Sequence, residues 1–257
     1  TPEFMIEGSM TERVYNAAKA VLIDVIDDTM TDYEKALALH DYLVETITYD
    51  DWGLDNVDSN TKLGYFHYIE SALLGSKLAV CDGYSKTYAL LCGMEGIECI
   101  VVHGTYNRGG HAWNKIFLDL NEDGQKECYA VDTTFDDLHV KQGTKTTEFL
   151  THQFFMIPDS YFDKRTEDSN VSYPSAVSPE KFYSYYKPYG FSLKINSTQT
   201  LNDFVDFMEE NTEHINLELL VLNSFVDTSN NQVGRINIDL KITYSPNSSY
   251  YMVYIHT

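Results

Sequence analysis

Apolar positions repeat at helical spacing through the first fifty residues and at strand spacing after residue 97. Val14, Ala17, Ala18, Val21, Leu22, Val25 and Ile26 recur three and four apart behind Ser9-Met10-Thr11-Glu12. That tetrapeptide has capping-box form, so a first helix is predicted from there. Thr31-Asp32-Tyr33-Glu34 has the same form ahead of a second stripe of Ala36, Leu37, His40, Leu43, Val44 and Ile47. His40, lying on that stripe, reads as a packing histidine with satisfied hydrogen bonds. Residues 51–67 carry Asp, Asn, Ser and Gly with few apolar anchors and read as a loop, placed to form one rim of a cleft. A further helix is predicted to start at Cys81, with Tyr84, Tyr88, Leu91 and Cys92 on its buried face and Gly96 at its C-terminal cap.

Period-two alternation follows. Ile97 to His103 reads as a strand with apolar residues on both faces, and Asn107-Arg108-Gly109-Gly110 breaks the chain after it. From His111 to Leu120, His111 and Trp113 fall on one face and Ala112, Ile116 and Leu118 on the other; from Glu127 to Thr133, Cys128, Ala130 and Asp132 share a face. Lys141 to Thr147 reads as a polar loop, Phe154 to Ile157 as a strand, and residues 158–180 as a surface excursion. Beyond Gly190 the pattern predicts a strand (191–195), a helix (201–210) and three strand-like runs (215–222, 234–244, 250–256), a small α/β module. The organisation expected is a tag or disordered stretch over 1–8, a core over 9–189 and an appendage over 190–257 in which no catalytic constellation is visible. Tyr183, Tyr185, Tyr186 and Tyr189, among twenty tyrosines in all, cluster before the appendage. They read equally as an interdomain seam or as a surface for sugar or peptide.

Composition narrows the function classes. With 257 residues, 43% of them hydrophobic, the chain can bury a substantial core. A net charge of −21 argues against nucleic acid, whose phosphates would repel it, and against an anionic membrane surface. It mildly favours cationic peptides or amines as substrates. No apolar stretch approaches the roughly 20 residues that span a bilayer. Thr1-Pro2-Glu3-Phe4-Met5 reads like a cloning scar, and no signal peptide is visible, which decides nothing about export. The acidic, Asn- and Tyr-rich composition suits an extracellular or cell-surface bacterial protein, with a cytoplasmic one as the alternative. The four cysteines, Cys81, Cys92, Cys99 and Cys128, show no metal-ligand spacing. The last three read as buried free thiols, and neither metal nor cofactor is expected.

Cys81 carries the candidate chemistry. It stands at a predicted helix start, with His111 and then Asp132 following on strand-like segments. A thiolate is the reactive form of cysteine, and a helix N-terminus and a nearby imidazole both favour it. A carboxylate behind the imidazole fixes its tautomer and orientation. Periodicity leaves a rival for that carboxylate. Direct pairing of His111 with Asp132 centres the turn between Asn121 and Glu122, whereas a two-residue Asp123-Gly124 turn pairs His111 with Asp136. The turn itself, Asp119-Leu120-Asn121-Glu122-Asp123-Gly124, resembles part of a calcium loop, but the twelfth position is Ala130 rather than a bidentate Glu, so a plain hairpin turn is expected.

The segments Val80-Cys81-Asp82-Gly83-Tyr84-Ser85, His111-Ala112-Trp113-Asn114 and Val131-Asp132-Thr133-Thr134-Phe135-Asp136-Asp137 resemble the three signature blocks of the bacterial transglutaminase-like superfamily. His40-Asp41-Tyr42-Leu43 with Ile47-Thr48-Tyr49-Asp50 is similar to its N-terminal helix, and Gln153-Phe154-Phe155-Met156 to the strand after its triad. Where many relatives carry Tyr-Gly-Ala-Leu before the nucleophile, this chain reads Tyr68-Ile69-Glu70-Ser71-Ala72-Leu73. The resemblance implies an α+β fold with a papain-like core, in which a helix-borne Cys packs on an antiparallel sheet. It also implies Cys81 as nucleophile, His111 as general base and acid, and Asp132 as the orienting carboxylate. The expected activity is acyl transfer from a peptide or protein substrate, a cell-wall peptide among the candidates. Hydrolysis by a peptidase or amidase is favoured over cross-linking of glutamine to amines, and a non-catalytic binding protein that keeps the fold is the reading from another class. Oligomeric state is not legible.

Overall fold

Both predicted caps start helices. In the computed structural model, which describes residues 5–50, 64–120, 123–142, 145–152, 154–161, 164–176, 194–210, 216–237, 240–242 and 250–256, α1 spans Met10–Val25 and α2 spans Asp32–Thr46. Thr31 and Glu34 form a full capping box, Thr31 Oγ1 accepting from Glu34 N (3.2 Å) and Glu34 Oε2 from Thr31 N (2.8 Å). At α1 the box is displaced by one residue: Ser9 Oγ accepts from Glu12 N, but the Glu12 carboxylate takes the N–H of Gly8.

The chain then sets up Cys81. Strand β1 (Thr48–Tyr49) pairs in parallel with β2 (Leu78–Ala79), between which lies the short helix α3 (Ile69–Leu73). Val80 N donates to Phe66 O (3.1 Å) and Asp50 N to Ala79 O (3.0 Å), so both residues ahead of Cys81 are pinned by backbone. Helix α4 (Cys81–Met94) follows at once. A Cβ on Gly83 would stand 2.6 Å from Phe66 O, so only glycine lets that backbone approach the first turn. Tyr84, Tyr88, Leu91 and Cys92 are fully buried, and the Tyr88 hydroxyl donates to Ala36 O (3.0 Å), locking α4 to α2. Gly96, at φ +77°, ends the helix in the left-handed conformation as predicted.

The next strands are β3 (Glu98–Tyr106), β4 (Gly109–Leu118) and β5 (Glu127–Val131), followed by a four-residue helix α5 (Thr133–Asp136), the hairpin β6 (Asp137–Gln142) and β7 (Lys145–Leu150), and β8 (Arg165–Glu167). Four of them form an antiparallel sheet in the order β5-β4-β3-β8. Asn107 and Arg108, both at positive φ, make the two-residue turn between β3 and β4. Gly109 and Gly110 therefore belong to the strand rather than to a break. Helix α4 and this sheet, with α1 and α2, enclose one apolar core containing Leu22, Leu43, Tyr84, Leu91, Ile116 and Tyr129.

Two readings of the sequence need correction. The polar run Lys141 to Thr147 lies largely in the β6–β7 hairpin, because a two-stranded ribbon satisfies its own backbone and needs no apolar alternation. Phe154 to Ile157 is no strand: Met156 sits at φ +55°, and the segment keeps only a bridge between Ile157 and Ala130. Asp159 and Glu167 are tied down by the buried Lys115, whose Nζ reaches Asp159 Oδ2 (3.1 Å) and Glu167 Oε1 (2.6 Å).

The chain forms two compact units: Thr1–Asp159 with Lys164–Val177, and Ser160–Asp163 with Ser178–Thr257. In the second, β9 (Lys194–Ile195), β10 (Asn216–Leu222), β14 (Leu240–Ile242) and β15 (Tyr250–His256) make a mixed sheet in the order β14-β15-β10-β9. Helix α6 (Thr198–Glu210) buries Phe204, Val205 and Met208 in the same core as Leu219, Val221 and Val253. A small meander of β11 (Val226–Asp227), β12 (Gln232–Val233) and β13 (Ile236–Asn237) completes it. The tyrosines at 183–189 and the residues at 51–63 lie outside the described residues.

Candidate active site

Cys81 is the first residue of α4, where the N–H groups of the opening turn have no carbonyl of their own helix to meet. Its thiol lies beside the His111 ring, which projects from β4, close enough to act on the charge of that ring. His111 Nε2 stands 2.8 Å from Asp132 Oδ2. The three residues that sequence reading put forward therefore meet at one place. Asp132 is 1% exposed and His111 8%.

The hairpin register follows neither of the two alternatives drawn from the sequence. Asn114 faces Val131 and Leu118 faces Glu127, which centres the turn between residues 122 and 123. Extended further, that register would set Thr134 opposite His111. The chain instead leaves the strand after Val131, and Asp132 becomes the N-cap of α5, Oδ1 accepting from Phe135 N (3.3 Å). This exit turns Oδ2 back to the imidazole. Asp119 caps the turn itself, accepting from Asp123 N (3.1 Å) and Gly124 N (2.8 Å).

Asp136 is thereby excluded as the His111 partner. Fully buried, it accepts from Thr151 Oγ1 (2.9 Å) and Phe154 N (3.0 Å) through Oδ1, and its Oδ2 lies 3.0 Å from His40 Nε2. His40 is correspondingly the satisfied interior histidine that its place on α2 predicts.

Arg165 is the site residue that sequence reading missed. Its Nε (3.1 Å) and Nη2 (2.7 Å) both donate to Asp132 Oδ2, the oxygen that also faces His111. The guanidinium lies 4.3 Å from the Phe135 ring centre, 4.6 Å from Phe154 and 5.3 Å from Tyr106. It is a cation held among aromatic faces. Nothing local signals it, because a three-residue edge strand amid polar sequence has no periodicity to read.

Electrostatics follow from this packing. Burial alone would lower the His111 pKa, but the Asp132 carboxylate and the Cys81 thiol carry it up to about 9. Burial would likewise raise Asp132, and His111 and Arg165 together hold it below the ordinary carboxylate value. Two of the other thiols are disfavoured as anions: the neighbouring Cys92 thiol and burial hold Cys99 well above the usual range, and burial pushes Cys128 up to about 12. All four cysteines are free. Beside Cys81, Asp82 pairs with Lys86 (2.6 Å) and His103 (3.1 Å), which keeps its charge occupied within the first turn.

Residues 19–127 match the family model described as the transglutaminase-like superfamily, a span that holds Cys81 and His111 and ends before Asp132. The chain is 22% identical over 157 residues to the kyphoscoliosis peptidase of Mus musculus, an alignment covering 56% of this chain and 22% of that protein. It is 23% identical over 147 residues to the Homo sapiens kyphoscoliosis peptidase, covering 52% of this chain and 20% of that protein. The chain thus spans about a fifth of the length of these curated relatives. A solved structure of a TGase superposes with a TM-score of 0.40 at 17% identity, over 81% of this chain and 53% of the other. The segment that positions the thiol and the imidazole is therefore the one that matches the transglutaminase-like superfamily.

Proposed function

We propose that the protein is a thiol hydrolase of peptide amide bonds, with Cys81 as nucleophile, His111 as general base and acid, and Asp132 as the carboxylate that orients His111. The observation that carries this reading is the 2.8 Å contact between His111 Nε2 and Asp132 Oδ2, with the Cys81 thiol beside the same ring. With Nε2 committed to Asp132, Nδ1 is left for the thiol. Attack of the sulfur on the carbonyl carbon forms a tetrahedral adduct, whose oxyanion would take the Cys81 N–H at the start of α4. Collapse expels the amine, protonated by His111, and leaves an acyl-enzyme that water hydrolyses with His111 as base.

The match of residues 19–127 to the superfamily model and the similarity to two proteins named as peptidases support a peptide or protein substrate. Water as second nucleophile is preferred because it needs no second binding site, whereas transfer to an amine needs one that also excludes water. Incubation with a peptide library and a primary amine, read by mass spectrometry, tests the assignment. Cleaved peptides that depend on Cys81 support it. Amine-linked products in their place convert the reading to a transglutaminase, and unchanged peptides together with an unlabelled Cys81 overturn it.

A further inference from the structure

A second cluster of ionisable side chains lies on α2 and after β7, and the thiol chemistry makes no use of it. His40 Nδ1 stands 2.9 Å from Asp41 Oδ1, and His152 Nε2 stands 2.9 Å from that same oxygen. The three atoms lie within 4.8 Å of one another. We propose that His40 Nδ1, Asp41 Oδ1 and His152 Nε2 bind a divalent transition-metal ion of the zinc type.

Donor chemistry selects the class of ion. Two imidazole nitrogens and one carboxylate oxygen suit zinc and its first-row neighbours, whereas calcium and magnesium require oxygen donors throughout. Metal bonds of about 2.0–2.1 Å in a tetrahedron set the donors roughly 3.3 Å apart. Each 2.9 Å contact then has to open by only about 0.4 Å. The ion takes the place of protons now shared along Asp41 Oδ1, so binding releases protons.

An outer shell is in place. His40 is wholly buried, and its second ring nitrogen faces Asp136 Oδ2 at 3.0 Å. Asp136 is itself fixed by Thr151 and Phe154 through its other oxygen. This carboxylate–histidine pairing directs the Nδ1 lone pair at the ion, as outer-shell carboxylates do for metal-bound histidines. Phe155 walls the cluster, its ring centre 5.0 Å from His40. The Asp41 and His152 side chains remain 30% and 26% exposed. An ion can enter from that side and keep a water as its fourth ligand.

The test uses the full chain, stripped of metal with a chelator and alkylated at Cys81 so that the thiol cannot compete. Titration with Co²⁺ alone, followed by visible absorption, should show one equivalent with the intense bands of a tetrahedral site, displaced by Zn²⁺. Asp136→Asn should weaken binding about 10- to 100-fold, and His152→Ala or Asp41→Asn should weaken it further. Imidazole ¹⁵N spectra of the unsubstituted chain give a reading that needs no variant: Zn²⁺ should shift His40 Nδ1 and His152 Nε2. Failure to bind Co²⁺ or Zn²⁺, binding that survives both His152→Ala and Asp41→Asn, or Zn²⁺ shifts confined to other histidines would each overturn the site.

Discussion

Replacing Asp132 with Asn keeps the shape of the side chain and removes the charge that holds His111 protonated. Burial works against the imidazolium, yet Asp132 and Cys81 raise the pKa from 6.5 to about 9, equivalent to roughly 3 kcal/mol at 1.36 kcal/mol per pH unit. His111 is 8% exposed, so solvent screening removes little of this. A folded-state pKa above the unfolded value stabilises fully below about pH 6.5 and ceases to do so as pH rises through about 9. Arg165 and Asp132 keep their charges throughout that window, so their contact cancels when two pH values are compared. Asp132→Asn should therefore destabilise the protein most near pH 6, and by about 2 kcal/mol less near pH 9.5. Urea unfolding of both proteins at both pH values measures this. Tryptophan fluorescence is a suitable signal because Trp113 is buried in the first unit. Equal destabilisation at the two pH values would refute the claim that the Asp132 charge sets the His111 proton.

Cys81 should be alkylated first by limiting iodoacetamide, since Cys92 is fully buried and Cys99 and Cys128 are held above the ordinary thiol range; peptide mapping that finds any of those three ahead of Cys81 removes the nucleophile assignment. Asp136→Asn should cost about 1–3 kcal/mol in unfolding free energy through its buried partners His40, Thr151 and Phe154, while the His111 ring titration stays near its parental midpoint; a displaced midpoint would make Asp136 part of the thiol site. A chain ending near Lys187 should keep alkylation of Cys81 that depends on His111, because Cys81, His111, Asp132 and Arg165 all lie in the first unit; a folded truncation that has lost it would show that the second unit helps build the site.

Local pattern carried much of this protein. The Thr31 capping box, the stripe of α2, the start of α4 at Cys81 and the glycine that ends it are each dictated within a few residues. Helix caps and apolar periodicity act at that range. The order Cys81, His111, Asp132 is also a property of the chain alone. What lies beyond short range was decided by tertiary structure. The choice between Asp132 and Asp136 turned on where the chain leaves β5, and neither period-two counting nor turn length specifies that exit. The β6–β7 ribbon escaped notice because its backbone pairing needs no apolar alternation, and Phe154 to Ile157 failed as a strand because of one left-handed residue. Arg165 meets Asp132 across 33 residues of sequence, and His40 meets Asp136 across 96. Buried charges must find partners wherever the fold supplies them, so the partner is set by packing and not by any spacing along the chain.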